Sequence, residues 1–525
     1  MFRLRVLVVT GILAESVVRR YVAQSSVEAE VTVLPRQVAA LMSAEYISDM
    51  LASRGLSKFN FILVPGMTIG DTSTIHSRVG APAFKGPRHA ADIPVTLEVL
   101  GKTQLSTSKP SCELLREQIQ KQALAELSAI YGEYENKAKP EASVQVGSGG
   151  RTVWVGGGFP PRVLAEIIDA SRLSDMEIQR WARYYVDSGA DIVDVGMVAG
   201  GGYSEDAERA VRVAREAVDK PVSIDTNDVE EIRAAVRAGV DLILSVNAET
   251  MEEVSKFAWD TPVVVTPATE KREIPSDPAG KVKQLESNLE KARGLGFRRL
   301  VADPVVTPIL MPNMVDSLVA YYEFARRNPD VPVLLGAGNV TELMDGDSVG
   351  ANLLLAGVGV ELGVGIVLTT EASDKTRGCV RELSEAVRMV TLAKKRNAPP
   401  KDLGLDLLVL KEKRRREEPY GLEALGEAET LPSRERTFIH DPEGCFRFVL
   451  DRDRGEVVAL HYRYGSDKPS LAVRGKDPLE ICSTIIERGL ISRLDHAAYL
   501  GVELEKAGLA LRLGRSYVQD AGLFE

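Results

Sequence analysis

Polar side chains follow the apolar, strand-like segments in the middle of this sequence at repeated intervals. The stretch "PVSIDTND" (221–228) runs from a buried-strand pattern into Asp225, and a helical pattern begins directly after it. The same change recurs after the neighbouring segments, at Asp169, Asp194, Asn247, Thr266, Asp303, Asn339, Thr369 and Glu371. One such residue is typical of a helix cap, but the repetition predicts a shared polar site.

The acids of this set limit the chemistry that such a site can perform. Acids gathered together are unfavourable unless they meet a cation or hydrogen-bond donors, because like charges and desolvation both disfavour the ionised form. A divalent metal such as Mg²⁺ satisfies this condition. A ligand rich in N–H groups also does, such as a pterin, whose amino group and ring N–H one carboxylate can accept together. Both ligand classes stay open at this point.

The same stretch contains no histidine. His76 and His89 precede it, and His440, His461 and His496 follow it. A histidine-ligated zinc site or a Ser-His triad built within the stretch is therefore excluded. The four cysteines lie far apart and form no CxxC pair, so that a cysteine-based zinc site or a disulfide framework is not expected.

The elements that position these residues form a regular series between residues 151 and 398. Eight apolar segments are each followed by a helical pattern: "RVLAEIIDA", "DIVDVG", "PVSID", "DLILSVN", "PVVVT", "RRLVAD", "VPVLLGAG" and "GIVLTT". Repeated βα units of this kind predict a TIM barrel, whose strands all end at one mouth. The polar residues above would line that mouth.

The segments on either side of the barrel have other patterns. Residues 1–110 alternate strand and helix patterns, which predicts a doubly wound α/β domain. They contain neither a GxGxxG nor a GxxxxGK[ST] motif, so nucleotide binding is not indicated there. Residues 111–150 read as a helix and a linker. Residues 399–525 contain a hairpin pattern around "DRDRG" and then helical spacing, which predicts a small α+β domain. The fold class is therefore α/β with a central (β/α)8 barrel.

Composition excludes several classes of protein. The chain has 525 residues, 44% of them hydrophobic and 27% charged, with a formal net charge of −10. An acidic chain without a chain-wide basic field is not a general nucleic-acid binder. No apolar run approaches the roughly 18 residues that a membrane span needs, and "MFRLRVLVVTG" reads as a first strand. These observations predict a cytoplasmic protein with no membrane partner.

Four segments of the barrel also resemble a known family. In order and spacing, "GADIVDVG", "PVSIDT", "LSVNAE" and "VADP" resemble the pterin-binding barrel of dihydropteroate synthases and corrinoid-dependent methyltetrahydrofolate methyltransferases. With "KGPRHAADIP" and "LDHAAYLG", the whole chain resembles the archaeal dihydropteroate-synthase-related proteins. The resemblance implies that Asp225, Asn247 and Asp303 contact a pterin, Asp303 by accepting its amino-pyrimidine edge. It also implies that Asp194 lies near the pterin.

The sequence departs from the dihydropteroate synthases where a diphosphate leaving group would need cations. "DPVVTPILMPN", "GAGNVTE" and "IVLTTEAS" replace the family's strand-six Lys, Ser-Arg-Lys and Arg-x-His patterns. Each lost contact to developing charge costs roughly 2–4 kcal/mol. Mg²⁺ is one substitute for these cations. The others are basic residues of the mouth loops: Arg172, Lys271, Arg272, Lys375 and Arg377.

"ADPVVTP" and "LLGAGNVTEL" instead resemble the methyltransferase branch. That resemblance implies that Asn339 reaches N5 of a methyl-carrying pterin, where an amide donor can stabilise the amine that forms. It also implies a corrinoid on a partner protein. His496 is a candidate cobalt ligand, but a lone helix histidine is more often a packing residue.

Three functions remain open on the sequence. The leading hypothesis is a pterin-dependent transferase of folate or tetrahydromethanopterin metabolism that moves a one-carbon (methyl) group to or from a reduced pterin. The second is a divergent dihydropteroate synthase that forms the pterin–arylamine C–N bond. The third is a non-catalytic pterin-binding scaffold. A homodimer is expected by analogy with related barrels.

Overall fold

The computed structural model describes residues 4–101, 103–136, 142–413, 431 and 439–524. The chain divides into two compact units, Met1–Glu417 and Glu418–Glu525. Domain boundaries at residues 110, 150 and 398 stay predictions, because the chain divides into compact units only near Glu417. In the part of the chain that the structure describes, no helix is both long and apolar enough to cross a membrane.

A parallel four-stranded sheet begins the first unit, in the order β2-β1-β3-β4. Its β1 residues alternate between two helical layers: Leu7 and Val9 pack with α2 and α3, and Val6 and Val8 pack with α1 and α4. Covered faces on both sides confirm the predicted doubly wound domain. The elements are β1 (Arg5–Gly11), α1 (Glu15–Val22), β2 (Glu28–Leu34), α2 (Ala44–Ala52), β3 (Phe61–Val64), α3 (Ser73–Val79), β4 (Ala83–Lys85) and α4 (Ile93–Val99).

A long helix and a hairpin connect this sheet to the barrel. The helix α5 (Ser111–Asn136) buries Ala123, Leu127 and Ile130 against the last barrel helix. The strands β5 (Ser143–Val146) and β6 (Val153–Gly156) pair antiparallel. The first strand of this hairpin lies in residues 111–150, which the sequence predicted to be a helix and a linker, and the second lies at the start of the range predicted as barrel. The "SVQV" and "VWVG" segments form strands on both sides of a Gly-rich turn.

Eight parallel strands close into the predicted barrel, in the order β10-β11-β12-β13-β14-β7-β8-β9. The strands are β7 (Arg162–Ile167), β8 (Ile192–Gly196), β9 (Val222–Asp225), β10 (Leu242–Val246), β11 (Val263–Val265), β12 (Leu300–Ala302), β13 (Val333–Gly336) and β14 (Val364–Thr370). The helices are α6 (Asp175–Asp187), α7 (Ser204–Ala217), α8 (Val229–Arg237), α9 (Met251–Ala258), α10 (Pro278–Gly294), α11 (Met314–Arg327), α12 (Gly338–Thr341), α13 (Ser348–Glu361) and α14 (Cys379–Arg396). All eight predicted strands are confirmed.

The barrel interior is apolar at one end and acidic at the other. Val144, Val146, Val153 and Val155 of the hairpin join one buried cluster with the inward residues of the strands, among them Leu164, Ile192 and Val301. Gly147 and Gly156 lie against Pro221 and Pro332, which directly precede β9 and β13. The hairpin therefore closes the end where the strands begin. Side chains two residues further along a strand share its inward face, which places Glu166, Asp194 and Asp303 toward the open mouth.

The second unit contains a small antiparallel sheet and two helices. The sheet has the order β15-β16-β17, and α15 and α16 cover one of its faces with a separate apolar core. This confirms the predicted α+β fold. The elements are β15 (Cys445–Asp451), β16 (Glu456–Tyr462), β17 (Leu471–Gly475), α15 (Pro478–Glu487) and α16 (Leu494–Leu513).

Candidate functional site

Three carboxylates from consecutive strands gather at the mouth of the barrel. Glu166 of β7, Asp194 of β8 and Asp225 of β9 each place one oxygen within 4.8 Å of the others. The strand register explains this, since Glu166 pairs with Asp194 and Gly196 pairs with Asp225. We call these three residues the carboxylate trio.

Asp194 lies at the bottom of the trio and is fully buried. Its Oδ1 accepts a hydrogen bond from the Ser223 hydroxyl at 2.5 Å. Its Oδ2 is also buried and has no hydrogen-bond partner among the described residues. Burial raises the pKa of the Asp194 carboxyl well above its usual value, and the charges of Asp225 and Glu166 raise it further.

The pKa values of the two half-buried members of the trio, Glu166 and Asp225, are also raised by burial and by neighbouring acids. Burial raises the pKa of Glu166 to about 7, with added repulsion from Asp225 and Asp169. Burial and the charge of Asp303 raise the pKa of Asp225 to about 6. Clustered carboxyls with raised pKa values are typical of functional sites, because folding alone gains nothing from holding them together.

Asp303 stands across the mouth from the trio, directly after β12. Its Oδ1 accepts from the Tyr321 hydroxyl at 2.7 Å and from the backbone N–H of Val305 at 2.8 Å. Burial raises the pKa of Asp303 to about 6, although these two hydrogen bonds and the charge of Lys281 act in the opposite direction. Among the described residues no hydrogen bond reaches Oδ2, so this oxygen is available to a ligand.

The loop after Asp303 is held from below by a buried lysine. Lys281 of α10 is 2% exposed, and its ammonium donates to the Val305 carbonyl at 3.0 Å and to the Ser317 hydroxyl at 3.2 Å. Val305 has a φ of 64°, which a β-branched residue rarely adopts. Asp303 accepts from the backbone N–H of Val305 and Lys281 donates to its carbonyl, and these two contacts stabilise that conformation. Asp303 and Lys281 thereby fix the mouth loop.

Asn247 follows β10 and is almost fully buried. Its Oδ1 accepts from the backbone N–H groups of Glu249 and Thr250, and its Nδ2 donates to Asn227 Oδ1 at 3.3 Å. The acceptor of the amide thus caps the next turn, and one N–H remains for a ligand. Asp228, next to Asn227, caps α8 by accepting from two backbone N–H groups.

Asn339 is an exposed residue inside the short helix α12, where the N-cap position belongs to Ala337. Its Nδ2 donates to the Val306 carbonyl at 3.1 Å. The side chain therefore links the mouth loops of β12 and β13, on the same side as Asp303. Its second amide N–H has no partner in the described part of the chain.

Several other residues named from the sequence take structural positions instead. Asp169 is exposed and pairs with Arg172 at 2.9 Å. Glu371 accepts from the Tyr184 hydroxyl and from the backbone N–H of Val380, so that it holds the start of α14. The Thr369 side chain is fully buried among the outer packing of β14.

The sequence reasoning missed Glu166, because it took the last acid of "RVLAEIIDA" as the end of the strand. Glu166 is two residues after the inward-facing Leu164, so strict alternation along β7 would have found it. Lys281 was also missed, since nothing in the helical text of α10 distinguishes a buried lysine from an exposed one.

Three of the basic residues proposed as substitutes for the absent cations already have acidic partners. Arg172 pairs with Asp169, Arg272 pairs with Glu249, and Lys375 pairs with Asp345. His496 lies far along the chain in α16, where its Nδ1 contacts Asp441 Oδ2 at 3.0 Å.

The fold and the acidic mouth define a class of protein that the comparisons identify. A family model described as "Pterin binding enzyme" matches residues 168–351, and one described as PterinBD-DUF4346 matches residues 440–520. A family of unknown function, DUF6513, matches residues 4–88. The chain belongs to the pterin-binding TIM-barrel superfamily.

Individual relatives extend this result over the whole chain. The uncharacterized protein MJ0107 of Methanocaldococcus jannaschii is 37% identical over 537 residues, which cover 99% of this chain and 99% of that protein. A Ycf91-like protein of a Nostoc species is 32% identical over 105 residues, which cover 15% of this chain and 83% of that protein. A dihydropteroate synthase from Xanthomonas albilineans, solved with 7,8-dihydropteroate, is 20% identical, with a TM-score of 0.38 over 49% of this chain and 100% of that chain.

Proposed function

We propose that this protein binds a reduced pterin, of the tetrahydromethanopterin or tetrahydrofolate type, at the mouth of the barrel and transfers a methyl group to or from it. The observation that supports this most directly is Asp303. Its half-buried carboxylate is oriented through Oδ1 by Tyr321 and Val305, and Oδ2 is left without a partner among the described residues. An acceptor fixed in this way suits the paired N–H donors of an amino-pyrimidine ring.

The remaining polar groups of the mouth contact other hydrogen-bonding atoms of the pterin. Asp225 neighbours Asp303 electrostatically and supplies a second acceptor. Asn247 supplies a donor, because its acceptor oxygen already caps the following turn. Asp194 is too deeply buried to meet the ring directly and acts by positioning Ser223 and its neighbours.

Asn339 is the residue that we assign to the transfer step. When the methyl group leaves N5 for a nucleophile, the electron pair of the broken C–N bond stays on N5, which takes up a proton from water at the open mouth to become the secondary amine. The unpaired amide N–H of Asn339 stabilises that electron pair by a hydrogen bond. The contact of Asn339 with the Val306 carbonyl holds its amide beside the loop of Asp303.

The ion pairs of the mouth argue against dihydropteroate synthesis as the main reaction. A diphosphate leaving group needs free cations, and three of the five basic residues of the mouth loops, Arg172, Arg272 and Lys375, already pair with an acid. The excess of carboxylates would in addition repel the anion. A reaction without an anionic leaving group fits this mouth better.

The proposal includes partners that follow from methyl transfer. The acceptor or donor of the methyl group is a corrinoid carried by a partner protein, a second copy of the chain forms a homodimer, and Mg²⁺ accompanies the pterin at the acidic mouth. These partners rest on the resemblance to corrinoid-dependent methyltransferases and on the acidic character of the site.

A calorimetric titration with methyl-tetrahydromethanopterin, or with methyltetrahydrofolate, tests pterin binding. The Asp303→Asn variant keeps the shape of the side chain but removes its charge. Because a hydrogen bond to a charged group contributes about 1.5–3 kcal/mol, we expect its Kd to rise roughly 10- to 100-fold.

Asp330→Asn is the matched control, since Asp330 is an exposed acid just before β13, at the closed end of the barrel. Its affinity should equal that of the wild type. If the wild type binds neither pterin, the proposed function is wrong. If it binds but a reduced corrinoid gains no methyl group, monitored by cobalt absorbance, the protein is a pterin-binding scaffold.

A further inference from the structure

We propose that Glu166, Asp194 and Asp225 form a binding site for one divalent cation with hard oxygen ligands, Mg²⁺ or Mn²⁺. The three side chains come from three consecutive strands of the barrel wall, and their oxygens lie within 4.8 Å of one another. This inference rests on the proposed function for the use of the cation, but not for its binding.

The first argument is the buried Oδ2 of Asp194. This atom is inaccessible to solvent and has no hydrogen-bond partner among the described residues, while Oδ1 of the same carboxylate is satisfied by Ser223. A buried polar atom without a partner costs roughly 1–3 kcal/mol, and more when it is charged. A buried carboxylate with such an atom, in a cluster with two further carboxylates, indicates a bound cation.

The second argument is the lack of a counter-charge on the protein. Within the described residues, no Lys, Arg or His side chain forms a hydrogen bond or an ion pair with any member of the trio. The other mouth acids differ in this respect, because Asp303 has Lys281 nearby and Asp169 has Arg172. No basic side chain of the described residues therefore balances the negative charge that the trio carries when its carboxyls are ionised.

The third argument is that the backbone places the carboxylate of Glu166. A Cβ on Gly196 would lie within 2.2 Å of Glu166 Oε1, so that the Glu166 side chain lies directly on the backbone of β8. The carboxylate is thus guided toward Asp194, two residues before Gly196, and not into solvent. A side chain held in this way loses little further freedom when it binds a cation.

The chemistry of the donor set selects the type of cation. Three carboxylates without histidine or thiolate suit Mg²⁺, Mn²⁺ or Ca²⁺ rather than Zn²⁺. Oxygen ligands of one Mg²⁺ lie roughly 3–4 Å apart, given metal–oxygen distances near 2.1 Å. Mg²⁺ has six coordination positions, so positions beyond the three protein oxygens face the mouth. Water or an oxygen atom of the substrate can occupy them.

The test uses the full-length chain after treatment with a chelator. Mn²⁺ is added, and the loss of the free-ion signal in electron paramagnetic resonance measures binding without any pterin. We expect one Mn²⁺ per chain, displaced by excess Mg²⁺. Asp194→Asn and Glu166→Gln should each weaken binding at least tenfold, because each removes one charged ligand.

Asp330→Asn again serves as the control and should bind Mn²⁺ like the wild type. Glu166 is half-buried, so Glu166→Gln stays informative if Asp194→Asn fails to fold. No binding by the wild type, or equal binding by folded Glu166→Gln, would overturn the inference. Pterin titration of the wild type with and without added Mg²⁺ tests the proposed function separately, since absence of pterin binding in both conditions would contradict that function and leave the Mn²⁺ result unaffected.

Discussion

The Tyr321 hydroxyl lies between two acceptors but has only one proton to donate. Asp303 Oδ1 is 2.7 Å from it and the Leu334 carbonyl oxygen is 2.9 Å from it. The hydroxyl therefore shares its single proton between the two oxygens, so that it stabilises the ionised form of Asp303 less than a hydrogen bond to that carboxyl alone would. The ligand-free site is thus suited to hold a proton on Asp303, which a pterin bound through its N–H edge would release.

The affinity for a reduced pterin should therefore depend on pH. The pKa of Asp303 is raised to about 6, mainly by burial, with Asp225, Lys281 and Tyr321 facing it. Binding needs the ionised form, so affinity should be constant above this pKa and fall about tenfold per pH unit below it. Calorimetry in buffers of different ionisation enthalpy would measure proton release near pH 6.

Tyr321→Phe provides the internal check of this assignment. The hydroxyl stabilises the ionised carboxylate, so its removal should move the midpoint of the pH profile upward. Tyr322→Phe changes the adjacent, exposed tyrosine, whose hydroxyl accepts a hydrogen bond from Arg326, and should leave the midpoint unchanged. A midpoint that is the same in both variants would mean that Asp303 does not control binding.

At the scale of elements, the sequence predicts the parts of the fold that repeat. All eight strands and the closed barrel follow from apolar runs that alternate with helical patterns. The hairpin of β5 and β6 could not be predicted from the sequence. Two strands of four residues on either side of a Gly-rich turn resemble a linker until their contacts with the barrel are known. Likewise, Asp303 and Asp225 follow from strand ends, but the trio depends on which side chains of β7 face inward.

The hairpin packs on β14 where that strand lacks a side chain. A Cβ on Gly365 would lie 2.8 Å from the backbone nitrogen of Gly156. Gly365→Ala should therefore separate the hairpin from the barrel and reduce the free energy of unfolding by about 1–3 kcal/mol, the usual cost of overpacking. Urea unfolding followed by tryptophan fluorescence would measure this, since Trp154 lies in β6.

Gly357→Ala is the opposite substitution in the same unit. Gly357 lies in the middle of α13, where an added Cβ meets only the Val390 side chain at an ordinary 3.9 Å. Alanine in a helix interior is more favourable than glycine by about 0.5–1 kcal/mol. Equal destabilisation by both substitutions would show that the hairpin contact is not the cause.

At the scale of the whole molecule, the second unit has its own acid-sensitive centre. Asp441 accepts hydrogen bonds from the backbone N–H and hydroxyl of Ser492, from the backbone N–H of Arg493 and from His496. These contacts join the segment before β15 to the start of α16. The histidine named from the sequence as a candidate ligand thus contributes to the stability of this unit.

This arrangement predicts how the second unit responds to acid. Burial alone would raise the pKa of Asp441, but the hydrogen bonds from Ser492 and His496 outweigh it and hold the pKa well below its usual value. The stability that Asp441 contributes is therefore full above about pH 4, its unfolded pKa, and is lost as the pH falls further. Scanning calorimetry of the full chain between pH 6 and 3 should show one transition that moves to lower temperature.

Asp441→Asn should move that transition to lower temperature at neutral pH and make it less sensitive to acid. Asp453→Asn alters an exposed acid of the β15–β16 turn and serves as its control. A transition that moves with pH in Asp441→Asn as much as in the wild type would exclude Asp441 as the responsible group.

The closed end of the barrel, where the strands begin, also determines the order in which reactants can bind and be released. With the hairpin valines filling one end, a small molecule enters and leaves through the same opening. Two reactants that bind in this opening must then follow an ordered sequence, in which the one at the deeper position binds first and is released last. Asp303 and the trio lie at the base of the mouth. Under the proposed function the pterin would therefore bind first, and the methyl donor or acceptor would approach it from the open end of the barrel.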